Sequence, residues 1–117
     1  MLAQRLFPPE WRRAHPDYLS SIPHPCSLAA FRGFGSQIGA MAAYGGCWSR
    51  LPAIACPTLV VTGNEDELVP PVNSRRLAMR IPGARLVLVP LAGHGLMYQY
   101  PGRLTAVVDR FLQRVRR

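Results

Sequence analysis

The sequence predicts an α/β fold with parallel strands, and three features of its second half lead to that prediction. Two short apolar runs, Thr58–Thr62 and Arg85–Val89, have the length and the β-branched composition of buried strands. A helical segment lies between them, and an amphipathic helix follows the second run. Strand, helix, strand and helix joined by short links are typical of a βαβα unit with parallel strands.

The first part of the chain predicts irregular structure followed by one longer helix. Residues 1–26 hold five of the twelve prolines, which leave room only for helical turns near Glu10–Ala14 and Pro16–Ser20. Ser27 is a suitable N-cap, and Gly45-Gly46 is a suitable end. Between them, apolar residues spaced three or four apart predict one helical face: Leu28, Phe31, Phe34, Ile38, Met41 and Tyr44.

The second half predicts two helices around the second strand. The first is expected at Ser74–Ile81, with Asn73 as its cap and Pro82-Gly83 as its end. The second is expected at Pro101–Val115, because proline is favoured at the first turn of a helix. Its apolar stripe comprises Leu104, Val107, Val108, Phe111, Leu112 and Val115.

Two strands alone leave both edges of a sheet unpaired. Strands that are apolar on both faces need helices on both sides and neighbouring strands. The sequence therefore predicts part of a larger doubly wound sheet, and self-association through an exposed sheet edge is expected.

Composition excludes several classes of protein. With 117 residues, 49% hydrophobic and 17% charged, the chain is expected to fold rather than remain disordered. No apolar run reaches the roughly 18 residues of a membrane span, and no secretory signal pattern begins the sequence. The three cysteines include no C-x-x-C pair. We expect a cytoplasmic protein that does not bind membranes.

The net charge of +8 raises the question of anionic partners. All 14 basic residues are arginines, spread along the chain without interleaved aromatic residues or a nucleic-acid-binding motif. We therefore expect no nucleic-acid partner. A small basic protein that binds anionic partners remains an alternative.

Asp66 and His94 each follow a predicted strand, and both are candidates for catalysis. Asp66 lies three residues beyond Gly63, and His94 lies in the sequence Leu91-Ala92-Gly93-His94-Gly95. Ligand chemistry in open α/β sheets collects at the carboxyl ends of the strands. A carboxylate beside a histidine orients the ring, whose other nitrogen takes a proton from a nucleophile. The alternative is an aspartate that closes an Asx turn and a histidine packed in a glycine-rich loop.

These residues belong to a pattern that resembles the C-terminal third of an α/β-hydrolase. The pattern comprises Pro57–Gly63, Asp66, Val69-Pro70, Ile81–Arg85 and Gly93-His94-Gly95. The resemblance is to the branch of lactonases, esterases and C–C-bond hydrolases. It implies a helical cap remnant and connecting helix at residues 1–50 and the βαβα segment of the core at residues 51–117. It also implies that Asp66 is the acid and His94 the base of a Ser–Asp–His triad.

The nucleophile of such a triad is absent from the sequence. The nucleophile elbow has the form G-x-S-x-G, and none of the six serines lies in that context. Cys47 lies in Gly45-Gly46-Cys47-Trp48-Ser49 and precedes Asp66 and His94 in the correct order. Pro52 follows too closely for an elbow helix, so a packed thiol is the favoured interpretation of Cys47.

The resemblance implies hydrolysis of an ester, lactone or related acyl bond in a small-molecule substrate, in a chain inactive by itself. The alternative is a non-catalytic fragment or complementation module. Nothing in the sequence indicates a cofactor, and we expect none. We also expect no metal, because His15, His24 and Cys26 are not accompanied by a further ligand at metal-like spacing.

Overall fold

The structure, a computed structural model, describes residues 2–21 and 28–116. Its α-helices are α1 (Pro9–Ala14), α2 (Leu28–Ala43), α3 (Pro71–Arg80), α4 (Leu96–Gln99) and α5 (Pro101–Val115). Its strands are β1 (Leu59–Gly63) and β2 (Arg85–Val89). Short 3₁₀ helices lie at Leu2–Leu6, Tyr18–Ser21 and Trp48–Ala53.

The predicted parallel sheet is present. Strands β1 and β2 pair in parallel, with Leu59 opposite Arg85 and Gly63 opposite Val89. Helix α3 connects them and contacts both. Since the two strands begin and end in register, the loops that follow them emerge side by side at the carboxyl edge of the sheet.

Helix α3 differs from its predicted bounds. The prediction placed its start at Ser74 with Asn73 as the cap, but the helix begins at Pro71 and Asn73 lies inside it. Proline at the first position fits because its fixed φ suits a helix and its missing N–H would have no helical partner there. Pro70 occupies the cap position without a side-chain bond. Ser27, the predicted cap of α2, lies outside the described residues.

The core is small and lies beneath the loop that follows β2. Val89, Ala92 and Leu96 form its buried centre. Half-buried residues of both strands and of the start of α5 pack around it: Val61, Val87, Tyr100 and Leu104. The most buried part of the protein therefore supports the carboxyl edge of the sheet.

Much apolar surface is left open to solvent. The accessible surface is 8612 Å², against about 6,300 Å² expected for a compact monomer of 13.0 kDa. On α2, the predicted apolar face includes Phe34, Ile38 and Met41, each of which is at least 48% exposed. None of the helices among residues 2–21 and 28–116 combines the length and apolar character needed to cross a membrane.

Candidate active site

The loops after β1 and β2 are hydrogen-bonded to one another. Asn64 N–H donates to the carbonyl of Val89 at 3.0 Å, and Glu65 N–H donates to the carbonyl of Ala92 at 2.9 Å. Gly63 lies so close to the second loop that a Cβ there would overlap the carbonyl of Ala92. This close approach holds the loop that carries Asp66 against the loop that carries His94.

The carboxylate of Asp66 bonds with both of its oxygens. Oδ1 accepts from the N–H of Leu68 at 3.0 Å and from the N–H of Val69 at 2.8 Å. Oδ2 lies 2.9 Å from Nδ1 of His94. The side chain is only 6% exposed. Asp66 thus closes a local turn, as the alternative interpretation held, and also contacts the histidine.

His94, the second residue of the pair, is partly exposed to solvent. Because a carboxylate oxygen only accepts hydrogen bonds, the proton of the 2.9 Å contact lies on Nδ1. Nε2 is then the ring nitrogen able to accept a proton. The His94 side chain is 39% exposed, so a reacting group can approach it. The predicted contact between Asp66 and His94 is confirmed.

A strained residue precedes His94, and the sequence did not predict it. Leu91 has φ of 61°, in the left-handed region that non-glycine residues rarely adopt. Its N–H donates to Oδ1 of Asn64 at 2.8 Å, and its carbonyl accepts from Nε2 of Gln99 at 3.3 Å. These bonds hold the loop in a conformation that costs about 1–2 kcal/mol for an L-residue.

The start of the chain packs against the glycines that flank His94. The N–H of Gly95 donates to the carbonyl of Leu6 at 2.7 Å. A Cβ on Gly93 would lie 2.7 Å from that same carbonyl oxygen. Glycine at both positions lets the segment at Leu6–Pro8 approach the backbone on either side of His94.

Cys47 lacks the surroundings of a nucleophile elbow. It lies between α2 and the 3₁₀ helix Trp48–Ala53, whereas an elbow follows a strand and opens a helix. Within the described part of the chain, no strand precedes Cys47, and the His94 ring is hydrogen-bonded to Asp66 instead. His24 and Cys26, considered as metal ligands, lie outside the described residues.

Curated relatives match this chain over about half of its length. Serine hydrolase BPHL of Mus musculus is 37% identical over 67 residues, which are 57% of this chain and 23% of that protein. A putative carbamate hydrolase, RutD of Caulobacter sp. (strain K31), is 45% identical over 62 residues, 53% of this chain and 23% of that protein. The chain thus matches less than a quarter of the length of either relative.

A solved structure matches nearly the whole chain. It is a thermophilic esterase from Thermogutta terrifontis, similar with a TM-score of 0.85 and 31% identity over 96% of this chain and 41% of that one. A family model described as the alpha/beta hydrolase family matches residues 1–107. The chain belongs to the alpha/beta hydrolase family.

Proposed function

We propose that Asp66 and His94 are the acid and base of a catalytic triad that hydrolyses an ester or related acyl bond. One observation carries the proposal: Oδ2 of Asp66 lies 2.9 Å from Nδ1 of His94 at the carboxyl edge of the sheet. The residues come from loops after different strands, 28 positions apart in sequence. If Asp66 served only to close a local turn, its contact with His94 would have no explanation.

In this proposal Asp66 holds the imidazole in the tautomer that base catalysis requires. With the proton fixed on Nδ1, Nε2 accepts a proton from a serine hydroxyl as that oxygen attacks the acyl carbon. Nε2 then returns the proton to the leaving group, and the acyl group stays on the serine oxygen. The buried carboxylate stabilises the imidazolium that forms between these two steps. Water then gives a proton to Nε2 as it attacks the acyl group, and Nε2 passes that proton to the serine oxygen as the acid product leaves. The N–H groups of Leu68 and Val69 keep that carboxylate from rotating away.

The serine comes, in this proposal, from a polypeptide segment outside these 117 residues. The sequence contains no G-x-S-x-G, and it matches 23% of the two relatives' lengths and 41% of the esterase chain. The names of these proteins, a serine hydrolase, a putative carbamate hydrolase and an esterase, support an acyl-type substrate. Lactones fall in the same chemical class, because ring opening uses the same attack on an acyl carbon.

The test is a chimera in which this chain replaces the superposable segment of the Thermogutta terrifontis esterase. We expect the chimera to hydrolyse a p-nitrophenyl ester and to lose about 10⁴-fold in kcat on His94→Ala. His15→Ala is the matched control, because the exposed side chain of His15 contacts Trp11, through its carbonyl at 2.9 Å and its stacked ring at 4.2 Å, and is not bonded to Asp66. A folded chimera whose hydrolysis is the same with and without His94 would overturn the proposal.

The second candidate is a non-catalytic complementation module, favoured by the open apolar face of α2. Phe34, Ile38 and Met41 are 48%, 50% and 72% exposed. A module of this kind would bind a partner through that face without needing His94. In the chimera, activity that survives His94→Ala but falls on Ile38→Glu would favour this role.

A further inference from the structure

Gln99 lies buried beneath the loop that carries His94. Its side chain belongs to α4, and the residue is only 8% exposed. Oε1 accepts from the N–H of Gly93 at 2.7 Å, and Nε2 donates to the carbonyl of Leu91 at 3.3 Å. One amide thus joins two backbone groups of the same short loop, and Gly93 is the residue immediately before His94.

The length of α4 explains how Gln99 reaches this position. The helix begins after Gly95, and the N–H of Gln99 donates to the carbonyl of Gly95 at 3.1 Å. One helical turn therefore returns the side chain under the residues that precede His94. Hydrogen bonds at both ends of a planar amide fix its rotation, so the amide can hold Gly93 in one orientation.

We propose that Gln99 is a positioning residue for His94, acting through the hydrogen bond from Gly93 N–H to Gln99 Oε1. The bond fixes the Ala92–Gly93 peptide, which is one peptide before the Gly93–His94 peptide, and so restricts the direction from which the His94 ring reaches Asp66. The contact with Leu91 keeps Oε1, rather than Nε2, turned toward Gly93. The inference rests on the proposed function, because it takes the contact between His94 and Asp66 to be the one that catalysis uses.

The experiment measures the tautomer of His94 in the 117-residue chain. Magic-angle-spinning ¹⁵N spectra of ¹⁵N-histidine-labelled protein, which do not require a monomer, report which ring nitrogen holds the proton at about pH 8.5, where ordinary imidazoles are neutral. Gln99→Met keeps the side-chain length but removes the amide. We expect it to shift His94 from the Nδ1–H form toward the Nε2–H form that free imidazoles favour. Gln113→Met is the matched control, an exposed glutamine on α5.

A second variant keeps the test decisive if Gln99→Met unfolds the protein. Gln99→Glu retains an oxygen facing Gly93 N–H, so we expect it to keep the Nδ1–H form of His94. His15, whose Nδ1 bonds the carbonyl of Trp11, is the reference ring in every spectrum. The proposal is overturned if folded Gln99→Met keeps the wild-type tautomer, or if folded Gln99→Glu loses it. Neither outcome depends on hydrolysis. Failure of the proposed function would be seen in a different experiment, as an esterase chimera whose hydrolysis does not require His94.

Discussion

The ring of Phe7 lies directly against Gly95, the residue that follows His94. A Cβ on Gly95 would overlap the Phe7 ring, and Phe7 itself is only 3% exposed. The buried ring also stacks on Trp11, with centroids 4.8 Å apart. An aromatic cluster at the start of the chain thus supports the backbone of the candidate catalytic loop.

Gly95→Ala should destabilise the protein by about 1–3 kcal/mol, because the added methyl must displace the Phe7 ring. The backbone itself permits alanine, since φ of Gly95 is −81°. Urea unfolding measures the change. Gly102→Ala is the control, because its Cβ would meet nothing within 4 Å and the residue lies in a helix. It should be neutral or stabilising by up to about 1 kcal/mol. Equal losses in both variants would refute the packing argument.

Leu91→Asn should stabilise the protein by about 0.5–1 kcal/mol, because asparagine tolerates the left-handed conformation better than leucine. The leucine side chain is 55% exposed, so little packing is lost. Met97→Asn is the matched control, since Met97 is also 55% exposed but lies in α4. It should lower the stability through the poorer helix propensity of asparagine. If both variants lower the unfolding midpoint alike, the strain at Leu91 is not relieved by asparagine.

The contact between Asp66 and His94 could be predicted because sheet topology alone brings them together. The loops after consecutive parallel strands lie at the same edge of the sheet. Asp66 and His94 could therefore be identified as neighbours from their positions directly after predicted strands. Gln99 could not be predicted in the same way. Its role depends on burial and on two bonds to backbone groups, and a four-residue helix gives no periodic signal. Leu91 was missed for a related reason, because its side chain gives no sign of a positive φ.

The bounds of the elements followed from the sequence where residues at their ends constrain the backbone. Arg85–Val89 and Pro101–Val115 were predicted with the observed bounds. Strand β1 begins one residue later than predicted, although the carbonyl of Thr58 already accepts from the N–H of Arg85 at 2.9 Å. It extends to Gly63, which pairs with Val89. The division into residues 1–50 and 51–117 stays a prediction.

The isolated chain should self-associate at micromolar concentrations. Among the described residues, β1 and β2 pair only with each other, so each strand has a free edge. Sedimentation velocity should show a mean mass that rises with protein concentration. Added salt should strengthen the association, because it screens repulsion between chains of net charge +8. A monomer at every concentration and salt level would contradict this expectation.

The isolated chain should not hydrolyse a p-nitrophenyl ester above background, because a base without a nucleophile has nothing to activate. The rival prediction is that Cys47 attacks the ester. In that case activity would fall on Cys47→Ala and on His94→Ala and would be blocked by iodoacetamide. Cys56→Ala is the control, since Cys56 is exposed and also carries a free thiol. Activity with that pattern of loss would show that Cys47 is the nucleophile and would overturn the proposal that a serine outside these 117 residues has that role.

The central claim is that Asp66 and His94 work as one catalytic unit, and a double-mutant cycle in the esterase chimera tests it most directly. Residues that act together lose their activity together, so the effects of removing them do not add. Asp66→Asn and His94→Ala should each lower kcat by about 10⁴-fold, and the double variant should be no slower than the slower single variant. Asp109→Asn, at an exposed aspartate on α5, should leave kcat unchanged. Losses that multiply in the double variant, or an Asp66→Asn chimera with full activity, would contradict the account.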